Sequence, residues 1–189
     1  MTRAPGRGVT LAVHRVGYGR PTLVLHGGGP GCTSLSDFAA VAGLVGAGRE
    51  LIFVDLAQFG RSDAPGIDGG LFDFHARSVT ALLDGLRLAG TDVLAQSLGG
   101  SVALLLAARR PDLVHRIVAS APPAVRAPGN VRTACPRIPG RWSMKRTAVR
   151  KTAVGLGSLA AVSVILWRSP VGAGIRRRWS TVVRMEKRP

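Results

Sequence analysis

A chain of 189 residues with 46% hydrophobic residues is long enough for one domain with a sizeable core, which excludes a largely disordered protein. Its two cysteines, Cys32 and Cys135, have no metal-ligand spacing and suggest no disulfide framework. The formal net charge of +16 is unevenly spread, because residues 1–126 carry 12 Lys/Arg and 9 Asp/Glu whereas residues 127–189 carry 14 and 1.

The first two-thirds of the chain alternates between short apolar runs and helical patterns. In chain order the predicted elements are a strand over 9–17, a strand over 22–26, a helix over 34–45, a strand over 50–56, a helix over 72–88, a strand over 92–97, a helix over 97–110 and a strand over 116–121. This alternation predicts an α/β fold with a parallel sheet covered by helices on both faces. Ligands of such sheets bind at the carboxyl ends of the strands.

The alternation ends near Ala127, where Pro, Gly and Arg become frequent. An uncharged run over 152–167 has 16 residues, fewer than the roughly 20 that span a bilayer as a helix. We therefore predict two parts, a folded core over 1–126 and a basic, atypical tail over 127–189. The tail is expected to pack poorly or to form only isolated helix, and we interpret it as the product of a frameshifted or truncated gene.

A glycine-rich stretch, HGGGPG, runs from His26 to Gly31 directly after an apolar run. No Gly-Lys-Ser/Thr follows it, which excludes a P-loop, and Pro30 breaks the spacing of a dinucleotide fingerprint. Glycines at the end of a strand let backbone N–H groups approach a ligand. The stretch is therefore best interpreted as an oxyanion-hole loop.

The stretch LAQSLGG over 94–100 places Ser97 between a predicted strand and a predicted helix. Small residues stand two places before and after it, Ala95 and Gly99, as a nucleophile on a sharp turn requires. The alternative is that Ser97 only caps the helix, because Ser is a common N-cap residue. The two motifs together, in this order, favour a nucleophile elbow.

Three stretches carry a resemblance to a known family: LVLHGGGPG, VDLAQFGRSDAP and LAQSLGGSVALLLAARRPDLVHRIV. They resemble the α/β-hydrolase family, most closely its branch of meta-cleavage-product hydrolases, which cleave C–C bonds in aromatic degradation. The resemblance covers about residues 9–124, the first half of a typical member. It implies an α/β-hydrolase-type parallel sheet flanked by helices that stops before the family's lid and last strands.

The resemblance also implies roles for the residues of the two motifs. Ser97 would be the nucleophile, and the backbone N–H groups of Gly28 and Leu98 would form the oxyanion hole. The remaining implied site residues are His26, Gly27 and Gly29, which shape the loop, and Gln96, which contacts the substrate. Neither a metal nor a cofactor is implied.

The residues that should activate the serine are missing from the rest of the chain. A family triad runs in the order Ser, then Asp or Glu, then His, but only Asp112, Glu186 and His115 follow Ser97. Asp112 and His115 lie beyond the predicted helix, roughly 20 Å away at 1.5 Å per residue. The two other histidines, His14 and His75, are interpreted as structural. The sequence thus predicts a hydrolase of impaired activity.

The predicted function is a cytoplasmic serine hydrolase for a small carbonyl substrate, either the C–C bond of a meta-cleavage product or an ester or lactone. The cytoplasmic assignment rests on the absence of an apolar signal-peptide core near the first residues. The alternative is a non-catalytic interaction protein whose basic tail binds nucleic acid or an anionic membrane. No nucleic-acid-binding motif supports the first of these partners, and only the run over 152–167 supports the second.

Overall fold

The computed structural model describes residues 2–6, 8–120, 162–168 and 184–185. Its strands are β1 (Thr2–Gly6), β2 (Val9–Gly17), β3 (Arg20–Leu25), β4 (Arg49–Val54), β5 (Thr91–Gln96), β6 (Val114–Ser120), β7 (Val162–Arg168) and β8 (Arg184–Met185). Its helices are α1 (Ser34–Val45), α2 (Leu71–Gly85) and α3 (Ser97–Arg109).

The strands form one sheet in the order β1-β2-β4-β3-β5-β6-β7-β8. The four strands β4, β3, β5 and β6 are parallel, which confirms the predicted α/β-hydrolase-type sheet. The sheet is mixed rather than wholly parallel, because β2 pairs antiparallel with both β1 and β4. Since the four central strands share one direction, their carboxyl ends meet at one edge of the sheet.

The core lies on both faces of the sheet, as the alternation of side chains along each strand requires. In β4, Ile52 and Val54 face a large apolar cluster that includes α2 and α3. Leu51 and Phe53 face a smaller cluster with Phe38 of α1. Complete burial of side chains of this size stabilises a fold by about 1.5–3 kcal/mol each, so the two clusters hold the helices against the strands.

Helix α3 is the most deeply buried helix, with every residue from Leu98 to Ala107 buried. It follows β5 without an intervening loop, because β5 ends at Gln96 and α3 begins at Ser97. This abrupt change of direction occurs at the carboxyl edge of the sheet. It sets the position of the site described below.

The tail contributes a strand where isolated helix was expected. Residues 162–168 form β7, which pairs antiparallel with β6 so that Ser120 lies opposite Val164. The expectation of helix is wrong for these residues, whose β-branched and aromatic types favour strands and can complete the open edge of β6. The rest of the predicted tail, including most of the run over 152–167, lies outside the described residues.

No helix within the described part of the chain combines the length and the apolar character needed to cross a membrane.

Both β2 and α1 begin and end at the residues that the sequence predicted. Strand β1 was not predicted, since its sequence TRAPG contains both Pro and Gly. It is formed by pairing with β2.

Candidate active site

Three connections meet at the carboxyl edge of the sheet. His26 follows β3, Asp55 follows β4, and Ser97 follows β5. Because β4, β3 and β5 are adjacent and parallel, the sheet brings residues far apart in sequence to one place. This edge is where ligands of open α/β sheets bind.

Ser97 occupies a backbone conformation that side chains rarely adopt, with φ of +46°. For a residue other than Gly, this left-handed conformation costs about 1–3 kcal/mol and is found mainly where function requires it. The N-cap of α3 is Gln96, without a side-chain cap hydrogen bond, so Ser97 is the first helical residue rather than the cap. The turn leaves Ser97 half-buried at the sheet edge.

Gly99 allows this turn to pack against the strand beside it. A Cβ added there would lie 2.6 Å from the carbonyl oxygen of His26 and 2.7 Å from the Leu25 Cβ. The Gly99 N–H instead donates to the His26 carbonyl at 3.0 Å. Only glycine fits this contact, which fixes α3 to the glycine-rich loop.

The glycine-rich loop lies directly beside Ser97. A Cβ built on Gly27 would be 3.7 Å from the Ser97 Cβ, and one built on Gly28 would be 3.2 Å from the Leu98 Cβ. The backbones therefore approach each other closely at Gly28 and Leu98, next to the amino end of α3. That end carries the positive pole of the helix dipole, which attracts negative charge.

Gly29 lies one residue further along the loop, away from Ser97. A Cβ added to Gly29 would be 3.1 Å from the Cys32 Sγ, and the Cys32 N–H donates to the Gly29 carbonyl at 3.1 Å. These contacts form a turn ahead of α1. Gly29 and Cys32 thus shape the part of the loop that leads into α1.

His26 is fully buried and holds two loops together. Its Nε2 accepts the N–H of Leu56 at 2.8 Å, so its protonated Nδ1 donates to the Gly27 carbonyl at 2.6 Å. The Phe59 ring packs edge-on against it with centroids 4.9 Å apart. Burial lowers the pKa of His26. A neutral imidazole with both nitrogens engaged is a structural brace and cannot take a proton from Ser97.

Asp37 is a site residue that the sequence analysis missed. It lies in the first turn of α1, and its Oδ2 accepts the Gly27 N–H at 2.8 Å. The Gly27 N–H is therefore engaged by Asp37. The only signal in the sequence was an acidic residue in the first turn of the helix after the glycines, which usually serves the helix dipole.

Asp55 fixes the loop after β4 to the start of α1. Its Oδ1 accepts both the N–H and the hydroxyl of Ser34 at 2.9 Å, and its carbonyl accepts the Ser62 hydroxyl at 2.6 Å. The side chain is buried. Within the described ranges no group of His, Cys, Asp and Glu could hold a metal ion.

All four histidines of the chain lie in the described part, and none bonds Ser97. His115 lies near the start of β6, where its Nδ1 is 2.8 Å from Asp92. That is five residues of strand from the edge with Ser97, or about 17 Å at 3.3 Å per residue. Asp112 pairs with Arg110 on the surface. These residues lie at the opposite edge of the sheet, far from Ser97 as the length of the predicted helix implied.

The other two histidines also lack the position of a catalytic base. His14 is in β2, with its ring 6.3 Å from that of Phe53. His75 of α2 is fully buried, and both of its ring nitrogens lack a partner within the described structure. Burial, with a smaller contribution from nearby His26, lowers the pKa of His75 to about 4. The hydroxyl of Ser97 has no hydrogen-bond partner among the described residues.

Comparison with known families identifies the fold. The family model described as the alpha/beta hydrolase fold matches residues 21–150, more than half of the chain. The chain belongs to the α/β-hydrolase family. This family assignment agrees with the elbow turn and the glycine-rich loop.

Curated relatives of this α/β-hydrolase are themselves named as hydrolases. The 2-hydroxymuconate semialdehyde hydrolase of Pseudomonas sp. (strain CF600) is 32% identical over 111 residues, covering 59% of this chain and 39% of the relative. The 2-hydroxy-6-oxononadienedioate/2-hydroxy-6-oxononatrienedioate hydrolase of Paraburkholderia xenovorans (strain LB400) is 35% identical over 112 residues, covering 58% and 39%. The chain thus spans about two-fifths of the length of these relatives.

Solved structures of proteins with different names have the same fold as this chain. The meta-cleavage product hydrolase of Pseudomonas fluorescens IP01 superposes with a TM-score of 0.58 at 24% identity, covering 62% of this chain and 43% of that one. A haloalkane dehalogenase from Agrobacterium tumefaciens C58 has a TM-score of 0.56 at 30% identity, covering 64% and 40%. The fold is therefore shared by proteins named for different reactions, and the reaction must be argued from the site residues.

Proposed function

We propose that this chain carries the nucleophile and oxyanion hole of a serine hydrolase that acts on a small carbonyl compound. The observation that carries the proposal is the left-handed Ser97, at φ +46°, placed between β5 and α3 and beside Gly27. A serine that only ended a strand would not need this strained conformation. Its position at the carboxyl edge of a parallel sheet adds support.

In the proposed reaction the Ser97 Oγ attacks the carbonyl carbon and loses its proton, and the carbonyl oxygen takes up the negative charge. The N–H groups of Gly28 and Leu98 stabilise that charge, with the amino end of α3 behind them. Collapse of the intermediate expels the leaving group, which takes up a proton, and leaves an acyl group on Ser97. Water then attacks the acyl carbon and releases the acid and the free hydroxyl.

The proposed substrate is either a meta-cleavage product, which would be cleaved at a C–C bond, or an ester or lactone. The named substrates of the curated relatives support the first, and the chemistry of acyl transfer at a serine supports both. Gln96 is exposed next to Ser97, and its Nε2 lies 4.0 Å from a Cβ built on Gly27. We assign Gln96 to contact the substrate.

Activity is proposed to be impaired because no base lies beside Ser97 among the described residues. A serine hydroxyl is a weak nucleophile until a positioned base takes its proton. Each histidine of the chain is engaged elsewhere, buried or at another part of the sheet. An oxyanion hole and substrate binding alone leave a rate of about 10³–10⁴ over water, so a slow reaction is expected.

Labelling with an alkyl fluorophosphonate, together with hydrolysis of a chromogenic ester, tests the proposal. The chain should be labelled slowly, the label should map to Ser97, and Ser97→Ala should abolish it. Ser78→Ala, which changes a serine within α2, should be labelled like the wild type. Labelling that survives Ser97→Ala would refute the assignment of the nucleophile, whereas rapid labelling at Ser97 would refute the impairment.

A further inference from the structure

We propose that Asp37 makes the site selective for substrate charge. The site accepts neutral esters or lactones and disfavours carboxylates. The inference rests on the proposed function of Ser97 and narrows its substrate class to the neutral esters or lactones, which sets this chain apart from relatives named for dioate substrates. It comes from a side chain that lies on α1, away from both sequence motifs. Its basis is the position and the unbalanced charge of that side chain.

Asp37 borders the same small space as Ser97. A Cβ built on Gly27 would lie 3.4 Å from the Asp37 Oδ2, 3.7 Å from the Ser97 Cβ and 4.0 Å from the Gln96 Nε2. The carboxylate oxygen and the Ser97 Cβ are therefore at most about 7 Å apart, less than the Debye length of about 10 Å at 0.1 M salt. A substrate held at Ser97 lies within the field of this carboxylate.

Hydrogen bonds to Asp37 come from two neutral donors. Its Oδ2 accepts the Gly27 N–H at 2.8 Å, and its Oδ1 accepts the Ser36 hydroxyl at 3.2 Å. Both oxygens act as acceptors, as in a carboxylate. Neutral donors hold the group in place without cancelling its charge.

No described cation balances Asp37. The ion pairs of the described residues include those of Glu50, Asp68, Asp73, Asp84, Asp92 and Asp112. Asp37 and the buried Asp55 form none with the described residues, and the His26 ring is neutral because its Nε2 accepts the Leu56 N–H. The edge beside Ser97 therefore carries negative charge from two carboxylates, which repels an anionic substrate.

The charge of Asp37 can be separated from its role in holding the loop. Asp37→Asn removes the charge but keeps an oxygen that can accept the Gly27 N–H. Asp37→Ala removes both, so it should slow the reaction of neutral and anionic compounds alike. A preference changed by Asp37→Asn alone is therefore an effect of charge.

The experiment uses a matched pair of aryl esters, one ending in a carboxylate and the other in its methyl ester. The rate of acylation of Ser97 should be at least about tenfold higher for the neutral compound in the wild type. Asp37→Asn should reduce this ratio to within about threefold. Salt at about 0.5 M should also reduce the wild-type ratio, because it screens the charge.

Equilibrium binding of the same two compounds to the Ser97→Ala protein tests the inference without chemistry. The dissociation constants should favour the neutral compound by the same factor, and Asp37→Asn in that background should remove the preference. Preferential binding without Ser97-dependent acylation would refute the proposed function alone. Equal binding of the two compounds, a ratio unchanged by Asp37→Asn, or binding of neither would overturn the role of Asp37.

Discussion

At the scale of single residues, the candidate site depends on the strained backbone of Ser97 and on the lack of a side chain at Gly99. Ser97 holds a left-handed φ that costs free energy, and Gly99 allows the first turn of α3 to touch β3. The contact between the Gly99 N–H and the His26 carbonyl links the elbow to the glycine-rich loop. Stability and geometry of the site are thus coupled at position 99.

Gly99→Ala should destabilise the protein, because its Cβ would meet backbone atoms at 2.6–2.7 Å. Such overpacking typically costs about 1–3 kcal/mol, and it should also lower the labelling rate of Ser97. Gly43→Ala is the matched control, since Gly43 lies within α1 and has nothing within 4 Å of an added Cβ.

The control should raise the free energy of unfolding by about 0.5–1 kcal/mol, because Ala favours a helix. Urea unfolding of the two variants measures both effects. A Gly99→Ala protein as stable as Gly43→Ala would contradict the close packing of the elbow.

His75 makes stability depend on pH. Its pKa is about 4 in the folded protein and about 6.5 in an unfolded chain, so the unfolded state binds the proton first. The free energy of unfolding should therefore fall as the pH falls from about 6.5 to about 4, by roughly 3 kcal/mol from this residue. His75→Leu should flatten that fall, as urea titrations at several pH values would show. An unchanged pH slope in His75→Leu would contradict the unpartnered burial of the ring.

At the scale of secondary-structure elements, the carboxyl and amino edges of the parallel strands hold different groups of residues. The carboxyl edge holds Ser97 and the glycine-rich loop, whereas the amino edge holds a charged cluster. In that cluster Asp92 of β5 binds Arg49 of β4 at 2.7 Å and His115 of β6 at 2.8 Å. Although burial alone would raise the pKa of Asp92, hydrogen bonds from Arg49 and His115 hold it below its usual value. The cluster ties β5 to its neighbour β6 and, across β3, to β4, so that His115 is held at the edge opposite Ser97.

Asp92→Asn should destabilise the protein by about 2 kcal/mol, since it removes one member of a partly buried pair. The stabilisation is present above the ordinary Asp pKa of about 4 and is lost as the pH falls below it. Asp84→Asn, which breaks the exposed pair with Arg110, should cost less than about 0.5 kcal/mol. Labelling of Ser97 should be unchanged in both. A similar loss of stability in the two variants, measured by urea unfolding, would contradict this account.

Local patterns predicted the elements from β2 to β6 because strands and helices differ in hydrophobic period. The ends of β2 and α1 were found to the residue, and the elbow and loop motifs placed Ser97 and Gly28. Strand β7 was missed because it depends on an open edge, which no local pattern encodes. Asp37 was missed for a related reason, since its importance comes from a contact with Gly27, ten residues away.

At the scale of the whole molecule, β7 shows that part of the tail completes the sheet. Its pairing with β6 predicts that backbone amides in 162–168 exchange with solvent roughly 100-fold more slowly than in an unstructured peptide. Leu166→Pro should remove this protection in β7 and expose the amides of β6, because Leu166 lies opposite Val118 and Pro has no N–H. Hydrogen–deuterium exchange measures both. Exchange in wild-type β7 as fast as in a free peptide would contradict the pairing.

We propose that the basic tail over 127–189 comes from a shifted reading frame, since its 14 Lys/Arg and 1 Asp/Glu differ so much from the composition before it. Translation of the coding DNA in the other two frames beyond Ala127 tests this directly. One frame should contain a late acid followed by a histidine, in the order of the family triad. Two frames without such a pair would refute the proposal.

Chemical rescue tests most directly whether Ser97 is a correctly placed nucleophile that has no base among the described residues. The rate of fluorophosphonate labelling should be measured with and without added imidazole, in the wild type and in Ser97→Ala. Imidazole should accelerate labelling of the wild type at least about tenfold, because it supplies the missing proton acceptor. Ser97→Ala should remain unlabelled. Rapid wild-type labelling that imidazole does not change would show that Ser97 already has a base, and would contradict the account.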